Sequence, residues 1–352
     1  MSAPVQDFSA IGLQTLPAWG GAVGTARIRV RPEDFQVFEI PLLTPCGEGE
    51  HCWLRVRKRN SNTRWVAGQL AGFAAVARSA VSYAGLKDRH AVTEQWFSVQ
   101  LPGRSDPDWR ALQHDDFEVL EARRHRRKLK IGALQGNRFR LYLRDVDADR
   151  EALEARLDRL RRGGFPNYFG PQRFGLDGAN LESAARLFQR PGRRSAGDKR
   201  GIYLSAVRAA LFNRVLASRV EAGSWNRVVP GDALMLDGRS ACFVADTPDS
   251  ETLRRAEALE IHPTGPLCGD GAALCRGEAL AFETKVLADY EDWLEGLCRM
   301  RVEAARRALR VVARELRWSE QETGVWVLEF ALPAGSFATS LLAEVLAVEG
   351  AD

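Results

Sequence analysis

Between positions 163 and 175 the chain reads Gly163-Gly164-Phe165-Pro166-Asn167-Tyr168-Phe169-Gly170-Pro171-Gln172-Arg173-Phe174-Gly175. No regular helix or strand runs easily through such a segment. Proline lacks the N–H that a ladder needs, and glycine loses the most freedom on being fixed. The segment lies near the middle of 352 residues, so it reads as a junction between domains. With 45% hydrophobic and 27% charged residues, the material on either side can build a sizeable core. That balance excludes a disordered or low-complexity chain. No stretch approaches the roughly 18 uncharged apolar residues of a membrane span. Met1–Gly24 has no basic flank followed by an apolar run. No secretory leader and no membrane partner are expected, and the expected compartment is the cytoplasm.

Elsewhere helical and strand periodicities interleave. Short strands are expected across 27–39 around a turn at 32–34, then at 51–57, 81–84, 94–100, 137–143, 240–245 and 324–332. Helices are expected from about 62 to 78, 149 to 162, 180 to 189, 204 to 222, 281 to 300, 302 to 317 and 338 to 348. No glycine-rich β–α crossover of nucleotide-binding type is present, so the class is α+β. The six cysteines (46, 52, 242, 268, 275 and 298) form no Cys-x-x-Cys, and the five histidines are scattered. They read as incidental thiols and imidazoles, with no metal and no disulfide framework expected.

The formal charge of +4 is unevenly spread. Residues 51–200 hold 31 Lys and Arg against 17 Asp and Glu, while the remainder holds 19 against 29. A basic middle reads as a surface for a polyanion. Its densest part is Arg123-Arg124-His125-Arg126-Arg127-Lys128-Leu129-Lys130. This run leads straight into the glycine turn at Gly132 and an alternating strand over Asn137–Leu143. That continuity favours a fixed contact site over a loose tail. Arg124, Arg126, Arg127 and Lys128 are the candidates for contacts to backbone phosphates of that polyanion, whose neutralisation gives salt-dependent, sequence-independent affinity.

The most informative loop is Gly85-Leu86-Lys87-Asp88-Arg89-His90-Ala91. It sets one carboxylate, Asp88, between strands among basic residues, which keeps it ionised at neutral pH. A positioned carboxylate serves as nucleophile or general base. Taken alone, the segment reads more readily as a β-turn aspartate among ordinary surface charges. The residues also leave open a polyanion-binding module without chemistry, and a glycosidase-like hydrolase acting through a single carboxylate on an anionic polymer.

Gly85–Trp96 resembles the active-site motif of the TruD family of tRNA pseudouridine synthases. Three further blocks agree in order. They are Arg124–Leu129 with Gly132–Phe139, Pro166–Gly175, and Leu332–Ser340. From the Pro32-Glu33-Asp34-Phe35 turn to Ser340 the resemblance covers almost the whole chain. It implies isomerisation of a uridine in tRNA, commonly the one at tRNA position 13, to pseudouridine. It implies Asp88 as the nucleophile, adding at C6 of the ring or C1′ of the sugar, with no cofactor or metal. It implies a pseudouridine-synthase catalytic domain with a mixed, mainly antiparallel sheet, interrupted by an inserted α+β TRUD domain. By these blocks the catalytic domain spans 1–162 and 312–352 and the insertion 163–311. Phe35, Asn137, Phe139 and Phe337 match positions that line the substrate uridine, as stacking faces and one amide suited to uracil's edge. The family commonly has Lys where Arg29 stands, so Arg29 takes the place of the cation beside Asp88. The expected partner is tRNA, and the expected state a monomer without an obligate protein partner.

Overall fold

The computed structural model describes residues 15–189 and 199–350. Most of the Met1–Gly24 stretch read for a leader therefore lies outside the described residues, as do the last two positions of 312–352. Backbone contacts divide the chain into two compact units. One takes the described residues up to Ala22, Glu154–Val312 and Ser336–Val345, and the other takes Val23–Leu153, Ala313–Gly335 and the chain from Leu346. The latter is called the sheet unit here, the former the helical unit.

The sheet unit opens with strands β1 (Gly24–Arg27), β2 (Phe35–Pro41) and β3 (His51–Arg59) and helix α1 (Thr63–Phe73). Strands β4 (Val81–Tyr83), β5 (Val92–Gln100), β6 (Phe117–His125) and β7 (Leu134–Ala148) follow. Helix α2 (Arg150–Gly163) crosses the division. The helical unit then holds β8 (Phe165–Pro166), α3 (Ala179–Gln189), α4 (Arg200–Glu221), β9 (Asp232–Leu236), β10 (Cys242–Ala245) and α5 (Ser250–Glu257). It continues through β11 (Ile261–Leu267), α6 (Gly277–Leu287), α7 (Glu291–Arg299), β12 (Ala305–Ala308) and β13 (Arg310–Val311). Strands β14 (Arg314–Glu322) and β15 (Val325–Pro333) belong to the sheet unit, α8 (Ala338–Ala343) to the helical unit, and β16 (Ala347–Glu349) to the sheet unit again.

The sheet runs β14-β15-β7-β2-β5-β3-β6, with β1, β4 and β16 attached. It is mixed and mainly antiparallel, as expected; β2 pairs with β5, and β1 with β16, in parallel. Side chains alternate faces along each strand, so the register fixes which residues share a face. Val37 stands opposite both Thr93 and Phe139, Glu39 opposite Asn137, and Lys58 opposite Thr93. One face therefore carries Phe35, Val37 and Glu39 of β2, Lys58 of β3, Thr93 and Gln95 of β5, and Asn137 and Phe139 of β7. Further along it, Leu54, Val56, Phe97 and Val99 pack against Val66, Ala67 and Leu70 of α1. The opposite face is charged, with Arg57 bonded to Glu94 at 2.8 Å.

The helical unit has its own core, built from Phe174, Leu181, Leu204, Val207, Phe212 and Leu297 among others. A second sheet there runs β10-β9-β11-β12. The expected insertion, 163–311, falls within this unit. The unit also takes most of α2, the segment before Ala22 and α8. Trp19 Nε1 donates to the Gly164 carbonyl at 2.9 Å, and the Glu344 carboxylate accepts from the Ala18 and Trp19 amides at 2.9 to 3.1 Å.

Several expected elements change. The helix expected over 302–317 is instead the strands β12 and β13 and the start of β14. Its composition favours a helix, but its arginines are held by tertiary partners: Arg306 by Glu283 at 2.6 Å, Arg310 by the Ala256 and Ile261 carbonyls at 2.7 and 3.0 Å. The single helix over 281–300 is two, α6 and α7, separated by a short 3-10 turn at Ala288–Tyr290. The closing helix stops at Ala343, and the chain then pairs with β1. Among the described residues no helix is long and apolar enough to cross a membrane.

Candidate active site

The Asp88 loop joins β4 to β5 where β2 and β5 begin and β3 ends. Five hydrogen bonds made by the buried side chains of Lys58, Thr63 and Gln95 frame it. The Thr63 hydroxyl accepts from the Lys87 amide at 3.1 Å and donates to Gln95 Oε1 at 2.8 Å. Gln95, fully buried, donates through Nε2 to the Gly85 carbonyl at 3.1 Å. Lys58 Nζ donates to the carbonyls of Ser61 and Asp88, each at 2.7 Å. Such groups are costly to bury unless bonded, so these bonds favour one loop conformation.

The Asp88 side chain is 37% exposed, and Arg29 Nη2 stands 3.8 Å from its Oδ1. Arg29 is aimed from both sides. Its guanidinium carbon lies 4.2 Å over the Phe35 ring, and its backbone has a left-handed φ of 57°. That conformation costs a non-glycine residue roughly 1–2 kcal/mol, so the surrounding contacts must impose it. The Pro32-Glu33-Asp34 turn between Arg29 and Phe35 is one of them. Pro32 starts a short 3-10 helix. Asp34, buried, accepts from the Arg31 amide at 2.9 Å and from the Arg144 guanidinium at 2.7 and 2.9 Å.

The cations expected around Asp88 are rearranged. Lys87 turns inward, its ammonium 2.8 Å from the buried Glu39 carboxylate, while Arg89 and His90 are exposed. Sequence reasoning missed Lys58, Glu39, Thr63 and Gln95. The available signal was parity. In β3 Cys52, Leu54 and Val56 point inward, and Lys58 occupies the next inward position.

Phe35 and Phe139 pack edge to face at 6.3 Å, and Phe139 stacks on Phe330 at 5.3 Å. Both are nearly covered, so they form the floor beneath Arg29 more than a free stacking face. Asn137 lies beside Glu39 in register, and its buried Oδ1 has no hydrogen-bond partner among the described residues. An unbonded amide oxygen is a group a ligand N–H can satisfy. Phe337 lies in the helical unit, against that unit's core and about 3.9 Å from where a Cβ on Gly170 would stand.

The basic strip divides. Arg124 is turned inward, its Nε 2.8 Å from Asp106 and its Nη1 3.3 Å from the Gly49 and Leu101 carbonyls. Arg124 therefore spends its donors within the fold, unlike the three basic residues that follow His125. Arg126, Arg127 and Lys128 are exposed; Arg126 pairs with the exposed Glu48 and Lys128 donates to the Ser79 carbonyl at 3.1 Å. All six cysteines are free, with Cys46 and Cys298 exposed. Among the described residues no group of three or more His, Cys, Asp or Glu gathers at metal-holding distance.

Comparison with known proteins adds a second line of observation. The family model described as tRNA pseudouridine synthase D (TruD) matches residues 18–187 and 197–345. The tRNA pseudouridine synthase D of Methylococcus capsulatus is 52% identical over 336 residues, covering 95% of each chain. That of Nitrosococcus oceani is 47% identical over 342 residues, covering 96% of each. A solved Methanosarcina mazei structure carrying the TruD designation superposes with a TM-score of 0.70 at 24% identity, over 97% of this chain and 98% of that one.

Proposed function

The chain belongs to the TruD family of tRNA pseudouridine synthases, isomerases that convert uridine to pseudouridine in tRNA, and from that premise we propose that Asp88 is its nucleophile and the uridine at tRNA position 13 its target. The observation that carries the assignment is the Asp88 carboxylate itself, solvent-reachable, faced by Arg29 and fixed by a buried polar frame. The reaction breaks the C1′–N1 bond, turns the uracil and forms a C1′–C5 bond. The proton lost from C5 is matched by one gained at N1, so substrate and product are isomers. The carboxylate adds at C6 or at C1′, and either route needs it held still against an extruded base.

In this reading Arg29 orients Asp88, Phe35 and Phe139 form the floor below it, Asn137 Oδ1 accepts from the uracil edge, and Phe337 supplies a stacking face. Arg126, Arg127 and Lys128 contact tRNA phosphates. The catalytic domain comprises 1–162 with 312–352, the inserted TRUD domain 163–311. The enzyme works in the cytoplasm, as a monomer, without cofactor. The test is carbodiimide labelling of tRNA after incubation with the protein, mapped by primer extension, with free uracil assayed in parallel. A stop reporting position 13 and no uracil is expected. Binding without label would reduce the protein to an RNA-binding module, and released uracil would make it a hydrolase.

A further inference from the structure

Lys58 has no exposed surface, yet it occupies a position where the sheet calls for an apolar residue. The three preceding residues on its face, Cys52, Leu54 and Val56, are all buried. Its ammonium donates to two main-chain carbonyls, of Ser61 and of Asp88, at 2.7 Å each. Among the described residues no carboxylate lies within ion-pair distance of it. Arg57 and Arg59, its strand neighbours, point to the other face and pair with Glu94 and Glu33. Thr93 and Gln95 of β5 and Thr63 of α1, which share its surroundings, are uncharged. The charges that face it come from the loop. Asp88 favours its protonated form, and Lys87, itself paired with Glu39, disfavours it.

Burial is the larger influence and brings the Lys58 ammonium down to about 8. The unfolded chain keeps that proton up to about pH 10.4. Between these values the unfolded state holds the extra proton, so this group's contribution to stability improves as pH rises. Near pH 7 the protonated side chain is therefore a burden on the fold. A costly group that grips the backbone of one reactive residue has a functional explanation where a structural one is lacking.

We propose that Lys58 is a positioning residue for the isomerisation. It holds the Asp88 carbonyl so that the carboxylate projects from one fixed backbone conformation, and it places a positive charge behind that carboxylate. The proposal rests on the reading of Asp88 as nucleophile. It assigns Lys58 no contact with the uridine.

Lys58→Met keeps an unbranched side chain, one atom shorter, and removes donors and charge together. The expected result is a kcat at least tenfold lower under single-turnover conditions, with KM for tRNA within twofold of the parent. The parent's kcat is expected to fall above about pH 8 as Lys58 loses its proton, and that alkaline limb is expected to vanish in the variant. A kcat within twofold of the parent, or a loss confined to KM, would overturn the proposal. If Lys58→Met does not fold, the parent decides, because a kcat that stays level to pH 9 removes the role. Asp88→Asn is assayed alongside. Turnover by that variant defeats the nucleophile reading itself. An inert Asp88→Asn beside a fully active Lys58→Met defeats the positioning role alone.

Discussion

The loop around Asp88 and the strip from Arg123 to Lys130 look alike as sequence, since both are short basic runs leading into a strand. Folded, they are opposites. In the loop Lys87 is consumed by Glu39, Lys58 enters from a neighbouring strand, and Thr63 and Gln95 bond the backbone, so the backbone is held while the Asp88 carboxylate stays solvent-reachable beside the exposed Arg89 and His90. In the strip one arginine, Arg124, ties the strand down, and Arg126, Arg127 and Lys128 stay exposed. The difference follows from the tasks proposed for each. Forming a bond needs an atom held to a fraction of an ångström, so polar groups are buried around it. Neutralising phosphates needs only charge within reach, and flexible side chains supply it.

The contrast breaks first at Gln95. Gln95→Leu removes the bridge between Thr63 and Gly85. It is expected to lower kcat on the order of 10²-fold, the scale of a 1 Å misplacement, and to reduce stability by about 1–3 kcal/mol through unsatisfied partners. Single-turnover kinetics and denaturant unfolding check the two effects. Unchanged kcat in a folded variant would mean the frame does not position the loop.

Much of the contrast is legible in the sequence, and the rest is hidden for definable reasons. Asp88 and Arg29 come from the motif, and the structure sets their side chains 3.8 Å apart. The inward Lys58 and Glu39 escape because alternation in Arg55-Val56-Arg57-Lys58-Arg59 reads as one charged surface strand. Parity sets Arg57 and Lys58 on opposite faces, but the fold alone shows that the face of Lys58 is covered at that position. The same limit explains residues 302–317. Their helical propensity is real, but Arg306 and Arg310 find partners more than 20 residues away, and no local pattern reveals those. Lys87 is the converse case, a neighbour of Asp88 in sequence whose charge belongs to Glu39.

The strip sharpens the comparison with smaller effects. Arg126→Ala with Arg127→Ala is expected to weaken tRNA binding severalfold. At about 0.7 per phosphate contact it should cut the slope of log K against log salt by roughly 1.4, with kcat preserved. A titration whose slope does not move would take those arginines off the RNA. Arg124→Ala is expected to leave that slope unchanged and to lower the thermal midpoint, since its guanidinium serves Asp106 and nearby carbonyls. A slope reduced as in the double variant would restore Arg124 to the RNA surface.

The central claim is that one fixed carboxylate does the chemistry while other residues hold the RNA. Asp88→Asn tests it most directly, with pseudouridine formation and tRNA affinity measured on the same preparation. The side chain keeps its size and loses its negative charge. Turnover should fall below detection while the dissociation constant stays within about threefold, which is under 0.7 kcal/mol of binding free energy. Pseudouridine formed by Asp88→Asn at a rate near that of the parent would contradict the account.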